Sequence, residues 1–349
     1  MSVPSEDLVP VLPAHRFDEV AMARYVRHHL TGFDGEVIVR QFQGGQSNPT
    51  YHLQTPSGAY VLRKKPIGTL LSSAHAIDRE YRIMQALAGT GVPVPRMDLH
   101  CDDPGVIGQE FFVMEYVVGR VHRDPALPEL DPLARRAVWL ETVRVLADLH
   151  RVDYRAIGLE GFGRPEGYIA RQVARWSRQY VESKVEDNAD MDRLIAWLQT
   201  TEAPTEEAAI THGDYRTHNV IFESDGRRIA AVIDWELSTI GHPLADLAYC
   251  CLPYHVAPED TVGFRGVDPA ELGIPTESEL IAVYCREADR SNVPNWNYFV
   301  VFAMFRMAAI RAGIFKRARE GNAANAQALE AGLRYRITAE RGLALAQQQ

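Results

Sequence analysis

An acidic residue in a tight turn, His212-Gly213-Asp214, is followed five residues later by the amide of Asn219. A short apolar run, Val220 to Phe222, then leads through Asp225-Gly226 into a second run, Ile229 to Ile233, which ends on Asp234. That pattern predicts a β-hairpin with an Asp-Gly turn. In an antiparallel hairpin the start of the first strand lies beside the end of the second, so Asn219 and Asp234 should meet at one end, with Asp214 just ahead of them. Two carboxylates and an amide are hard oxygen ligands, and a cluster of them with most coordination positions open suits Mg²⁺ held jointly with substrate phosphates. Each piece alone is also ordinary turn chemistry. Agreement between the spacing and a strand-turn-strand context is what favours a site.

These residues need a frame. The 349 residues leave room for one large domain or two lobes. A hydrophobic fraction of 46% and a charged fraction of 24% are ordinary for a globular chain. The net charge of −9 gives no support to a nucleic-acid or anionic-membrane partner. Cys101, Cys250, Cys251 and Cys285 form no C-x-x-C pair and are expected to be reduced, mostly buried thiols of a cytoplasmic protein. The first residues carry acids and prolines in place of a basic head and an apolar core, so no secretory signal is expected. No apolar run reads as the ~20 residues that span a bilayer. Residues 1–13 read as a poorly ordered lead-in, because Pro4, Pro10 and Pro13 interrupt any helix.

After an amphipathic helix over 17–30, three β-type runs follow at 36–42, 50–54 and 59–65. The turn between the first two contains Gly44-Gly45, where backbone amides could approach a phosphate closely, although a plain hairpin turn describes it equally well. On the third run, alternation puts Val61 and Arg63 on one face and Lys64 on the other. Residues 74–88 then predict a helix whose inward stripe is Ile77, Glu80, Tyr81, Met84, Leu87 and Ala88. Glu80 is the one charged member, and a carboxylate turned inward requires a cationic partner. Beyond a strand ending near Val118 the composition turns helical, with helices over 132–150, 167–199, 277–290 and 296–319 and a final one to the terminus.

The H-x-D-x-x-x-x-N spacing followed by a metal-binding Asp follows the catalytic-loop logic of protein-kinase-like enzymes. H-G-D-x-x-x-x-N, then I-D-W, then G-x-P-x-x-D-L-A resembles the aminoglycoside phosphotransferase family of small-molecule kinases. The fuller run D-W-E-L-S-T-I-G-H-P-L-A-D-L-A-Y resembles one branch, the kinase-like domains fused to or associated with some acyl-CoA dehydrogenases. The resemblance implies an α+β, protein-kinase-like two-lobed fold: a mainly antiparallel-sheet N-terminal lobe over 34–118, a mainly helical C-terminal lobe over 119–349, and an N-terminal extension and helix over 1–33. It makes Asp214 the group that accepts or orients a hydroxyl proton, His212 the residue that orients the loop, and Asn219 and Asp234 the Mg²⁺ ligands. Gly45, Gln46, Ser47 and Asn48 become a nucleotide-covering loop. Arg63, with Lys64 as second choice, becomes the phosphate-holding cation and Glu80 its partner. Met114, Glu115 and Val117 fall at the hinge, against adenine. Asp246 buttresses the catalytic loop from behind.

The implied cofactors are ATP and Mg²⁺, and the implied reaction is transfer of the γ-phosphoryl group to a small-molecule hydroxyl. The branch points to a hydroxy acid or a hydroxyacyl-CoA thioester as acceptor. An aminoglycoside or amino-alcohol kinase is the competing enzyme, and a nucleotide-binding pseudokinase interaction module the competing class. Arg306, Arg311, Lys316, Arg317 and Arg319 form a basic face, with Arg306 the first residue to consider if the acceptor is anionic.

Overall fold

In the computed structural model, residues 8–43, 48–66, 77–259, 263–321 and 328–348 are described. Period-two runs organise the first third. Strands β1 (Leu8–Val9), β2 (Ile38–Phe42), β3 (Thr50–Thr55) and β4 (Gly58–Lys64) lie in one sheet with β5 (Met97–Cys101) and β6 (Phe111–Glu115), in the order β1-β2-β3-β4-β6-β5. Helix α1 (Glu19–His29) is capped by Asp18, whose carboxylate accepts from the Ala21 amide at 2.8 Å. Met22 and Val26 of α1 pack with Tyr51, Leu53, Leu62, Phe111 and Val113 of the strands, so α1 covers one sheet face. Helix α2 (Ile77–Leu87) buries Ile77, Glu80, Ile83, Met84 and Leu87; of the stripe expected, Tyr81 is only half-buried and Ala88 is exposed just beyond the helix, while Ile83 joins it. A four-residue turn of helix, α3 (Pro104–Ile107), joins β5 to β6.

The rest of the chain contains α4 (Pro132–Arg151), α5 (Tyr168–Ser183), α6 (Ala189–Thr200), the short strand β7 (Ala209–Thr211), the hairpin β8 (Val220–Phe222) and β9 (Ile229–Val232), β10 (Thr239–Gly241), α7 (Pro243–Cys250), α8 (Pro269–Leu272), α9 (Glu277–Glu287), α10 (Trp296–Arg319), α11 (Ala328–Leu333) and α12 (Tyr335–Ala346). Two compact units result. The first is Met1–Val121 with Ile157–Leu159 and Asn219–Ser238, and the second is His122–Ala156 with Glu160–His218 and Thr239–Gln349. The β8–β9 hairpin, which the sequence reading assigns to a 119–349 lobe, therefore clusters with the sheet-bearing unit. Two contacts account for this: Val232 donates to the Pro93 carbonyl at 2.8 Å, and Arg120 and Phe222 exchange backbone hydrogen bonds at 2.8 Å.

Two expectations need correction. Leu8–Val9 is not a loose lead-in but pairs antiparallel with Phe42 and Gln41. Proline bars a helix there, yet it is tolerated beside an edge strand, whose outer amides need no partner in the sheet. The second concerns α10, which is long and apolar enough by length and composition to cross a membrane. Its most apolar window is 78% buried inside the protein, so it serves as a core helix of the second unit. All four cysteines are free thiols.

Gly119 fixes how the hairpin is held. A Cβ there would lie 2.3 Å from the Phe222 carbonyl oxygen and 2.4 Å from the Ile221 side chain. Overpacking of this kind costs about 1–3 kcal/mol. Gly119→Ala should lower the urea midpoint by a corresponding amount, and an unchanged midpoint would show that the hairpin can shift without cost.

Candidate active site

The first unit carries a cation surrounded by carboxylates. Alternation on β4 sends Arg63 to the α2 side, where its guanidinium forms an ion pair with Glu80 at 2.9 Å and donates to Asp234 at 2.6 Å; Glu236 lies 3.6 Å away. Lys64 points to the other face, fully buried, with Nζ 6.0 Å from the Phe17 and Tyr51 rings and no hydrogen-bond partner among the described residues. Burial pushes the Lys64 amine below its ordinary value. The two candidate cations are thus separated by the pleat, and Lys64 does not belong to this cluster.

Burial, with the Asp234 and Glu236 charges, raises the Glu80 carboxyl to about 7 against the opposing pull of Arg63. For Arg63, burial opposes its charge, but Glu80, Asp234 and Glu236 together raise its affinity for the proton above the ordinary value. We take Glu80 as the paired anion, because the 2.9 Å contact leaves the guanidinium as its compensating charge. Three carboxylates around one cation leave a surplus of negative charge that a divalent ion would offset. Among the described residues no three His, Cys, Asp or Glu side chains converge tightly enough to hold a metal alone. That donor set fits Mg²⁺, which takes few protein ligands and completes its shell with phosphate oxygens and water.

The hairpin forms as its sequence predicts. Gly226 turns with φ +70°, Asp225 accepts from the Arg227 amide at 3.0 Å, and Val220 stands opposite Val232. The Asn219 carbonyl accepts from the Ile233 amide at 2.9 Å, so Asn219 and Asp234 share one end of the hairpin. Asp234 itself has φ +66°, a left-handed conformation that Asp tolerates better than most residues. Asn48 is fully buried, and its amide donates to Glu236 at 3.4 Å. Gly45, Gln46 and Ser47 lie outside the described residues. At the expected hinge, Met114 pairs across the sheet with Val61, and the Glu115 amide donates to the Arg96 carbonyl at 2.9 Å.

The second unit carries the turn. Asp246, buried on α7, accepts from the backbone amides of His212 at 2.5 Å and Gly213 at 2.9 Å. Gly213 has φ +84°, a conformation open to glycine. The Asp214 amide donates to the His212 ring at 3.2 Å, so His212 braces the turn through its side chain. Tyr215 anchors the loop to α4 by donating to the Thr142 carbonyl at 2.9 Å. Arg216 reaches the Asp214 carboxylate at 3.2 Å, and burial, with the Asp214 charge, raises the Tyr249 hydroxyl above its ordinary value. Arg306 is not on an exposed basic face: it is 7% accessible, donates to the Gly213 carbonyl, and stacks between Trp176 at 5.2 Å and Tyr249 at 4.6 Å.

Beside Asp214 the same unit encloses a cavity of about 100 Å³. Trp139, Leu252, Pro253, Val256 and Met307 give it apolar walls, while Arg216, His218, Tyr249 and Arg311 supply polar groups. No Asp or Glu lines it among the described residues. Burial, helped by Arg216, pushes His218 down to about 4, so it is neutral near pH 7. Sequence reasoning missed Glu236 and Tyr249. A signal existed for Tyr249, which stands three residues after Asp246 and so shares its helix face.

A model of the "Phosphotransferase enzyme family", abbreviated APH, matches residues 38–274. The human protein named "Acyl-CoA dehydrogenase family member 11" is 43% identical over 322 residues, 90% of this chain and 41% of its own. The Arabidopsis thaliana protein named "Probable acyl-CoA dehydrogenase IBR3" is 40% identical over 343 residues, 91% of this chain and 41% of its own. The chain thus spans under half the length of these relatives. A crystal structure titled as a putative aminoglycoside phosphotransferase from Ralstonia eutropha superposes with a TM-score of 0.87 at 45% identity, covering 95% of this chain and 99% of that one. Choline kinase from Cryptosporidium parvum, at 13% identity, shares the fold with a TM-score of 0.66 over 95% of this chain.

Burial pushes the Asp246 carboxyl up, but His150, His212 and the Gly213 amide outweigh it and hold it below its ordinary value of 3.8. Stabilisation from a depressed carboxyl is complete above the unfolded value and is lost as pH falls through the folded one. Asp246→Asn should lose about 3–5 kcal/mol at neutral pH, with the gap to the parent narrowing below pH 3.8. Urea titrations across pH test this, and a gap that does not change with pH would discount the charge.

Proposed function

The chain belongs to the phosphotransferase enzyme family, and from that premise we propose that it transfers the γ-phosphoryl group of Mg-ATP to the hydroxyl of a small hydroxy acid or its acyl-CoA thioester. Asp214 takes the hydroxyl proton as the acceptor oxygen bonds to phosphorus and the bond from phosphorus to the β-phosphate oxygen breaks, releasing ADP. Arg63, held by Glu80, binds phosphate oxygens once nucleotide draws it from Asp234. Asn219 and Asp234 hold Mg²⁺, which would supply neutralising charge to the phosphates. Catalysis of this kind comes mostly from alignment and charge stabilisation, with little covalent work for the protein.

The single observation that carries the acceptor class is the lining of the cavity beside Asp214. Arg216 and Arg311 are set in apolar walls with no carboxylate. A polycationic aminoglycoside or an amino alcohol would face two guanidinium groups, while the Asp214 carboxylate beside them is already paired with Arg216 at 3.2 Å. An acid or thioester carbonyl on a short aliphatic chain would find both a partner and a matching wall. The relatives' names support the same reading, since they carry acyl-CoA chemistry at 40 to 43% identity.

The test is ADP release from Mg-ATP across a panel of hydroxy acids, hydroxyacyl-CoAs, aminoglycosides and amino alcohols. The acids or thioesters should be the active group. Turnover confined to the cationic acceptors would overturn the acceptor class, and no stabilisation by ATP, with or without Mg²⁺, would overturn the kinase reading itself. Asp214→Asn should fold and bind Mg-ATP as the parent does while phosphoryl transfer falls about 10²- to 10⁴-fold. Full activity in that variant would remove Asp214 from the chemistry.

In the same panel Arg311→Met should raise the acceptor KM and leave the ATP KM alone. A loss confined to the ATP KM would count against Arg311 as an acceptor group.

A further inference from the structure

Arginines without acids collect on one side of α5. Arg171, Arg175 and Arg178 stand at i, i+4 and i+7 and so share a face of that helix. Arg171 is already engaged, its guanidinium donating to the Arg164 and Glu166 carbonyls. Arg175 and Arg178 are exposed and make no ion pair among the described residues. Glu182, the next acid along the stripe, stands one turn beyond Arg178 and pairs with neither. Other exposed arginines of the second unit do carry an acid, as Arg136 does Glu279 at 2.6 Å and Arg286 does Glu287 at 2.7 Å.

Arg306 adds a further cation to this group. Its guanidinium carbon lies 5.2 Å from the Trp176 ring centroid and that of Arg175 lies 5.4 Å from the same ring, so two cations share one indole. Arg306 donates to the Gly213 carbonyl, an uncharged acceptor. Desolvation, then the Arg306 and Arg178 charges, push Arg175 below its ordinary value, and only the Tyr168 phenol acts the other way. Two buried donors beside these cations, Arg306 Nε and Trp176 Nε1, face no acceptor among the described residues. Like charges this close repel, and a bound anion would relieve them. One carboxylate balances one guanidinium. Arg175, Arg178 and Arg306 together suit a group with more than one negative charge and several acceptor oxygens, which is a phosphate or a diphosphate.

We infer that Arg175, with Arg178 beside it and Arg306 on the same indole, forms a subsite for a phosphate or diphosphate group. Because Arg306 also bonds the Gly213 carbonyl, the subsite adjoins the turn that carries Asp214. The group it takes then fits a handle that the acceptor carries away from its reacting hydroxyl, leaving Arg216 and Arg311 to the carboxyl or thioester carbonyl. That source rests on the acceptor class proposed above, whereas the subsite itself does not. Free phosphate is the other source of the same chemistry.

The test is calorimetric binding to the full chain saturated with Mg-ADP, so that the nucleotide site is filled, with coenzyme A, pantetheine and inorganic diphosphate as probes. Coenzyme A should bind, and pantetheine, which lacks the phosphates, should bind at least about 10-fold more weakly. Arg175→Met should keep the parent's melting temperature and weaken coenzyme A about 10- to 100-fold, the scale of a lost hydrogen bond between charged groups. Arg175→Lys keeps the charge and loses the fork, so it should fall between the two. Arg286→Met removes a cation from α9 and should leave every affinity as it is, which separates a built site from net charge. A preference for coenzyme A over diphosphate assigns the subsite to the acceptor's handle; equal affinity, lost equally in Arg175→Met, assigns it to free phosphate. The inference is overturned if pantetheine binds as tightly as coenzyme A, if Arg175→Met binds both phosphate probes as the parent does, or if Arg286→Met loses as much. None of these readouts needs turnover, so a chain that releases no ADP with any acceptor removes the proposed activity without deciding the subsite, which stands or falls on binding.

Discussion

A carboxylate with almost no water around it must be given donors, and Asp246 obtains them from the backbone of the loop it supports. Its two oxygens take the His212 and Gly213 amides, and His150 stands 3.6 Å away on the far side. The arrangement is reciprocal: the buried anion is stabilised by those amides, and the turn cannot open without stranding the anion. His150 is itself placed by the Tyr284 hydroxyl at 2.7 Å, so the support runs back through α4 and α9 into the helical core. Position by position, the Asp214 turn is the outer end of a stack that runs inward through Asp246 and the His150 side chain to Tyr284.

The first unit solves the same problem with a cation. Arg63 is 8% accessible and stands among Glu80, Asp234 and Glu236, and for the buried Glu80 it is the compensating charge. Asp234 is the most exposed of the three, with about a third of its side chain accessible, so its contact to Arg63 is the one open to replacement by a ligand. Glu80 is buried and stays. A buried inner partner and a more exposed outer one thus hold a single guanidinium in place.

Legibility in the sequence followed the range of the interactions. The hairpin was readable because its turn, its strands and both of its functional ends lie within twenty residues, and the separation of Arg63 from Lys64 because a strand alternates with period two. The inward Glu80 was readable as a charge on an apolar helical stripe, and the need for a cation followed from the cost of burying it. Glu236 and Arg306 were not legible in their roles. Glu236 matters because β4 brings Arg63 to it from far upstream, and Arg306 looked like one of several arginines at a helix end until α5 and α7 enclosed it between two rings. The pairing of β1 was hidden for a different reason, since proline composition marks what a segment cannot be and says little about an edge strand it can join.

One helix gathers most of what the second unit contributes. Within eight residues α7 provides Asp246 to the turn and Tyr249 and Cys250 to the cavity wall. All eight are buried, so the helix has no freedom to move one of these groups without the others. Turn geometry and cavity shape are therefore tied to a single buried element, and a change in the cavity that leaned on α7 would be transmitted to the turn.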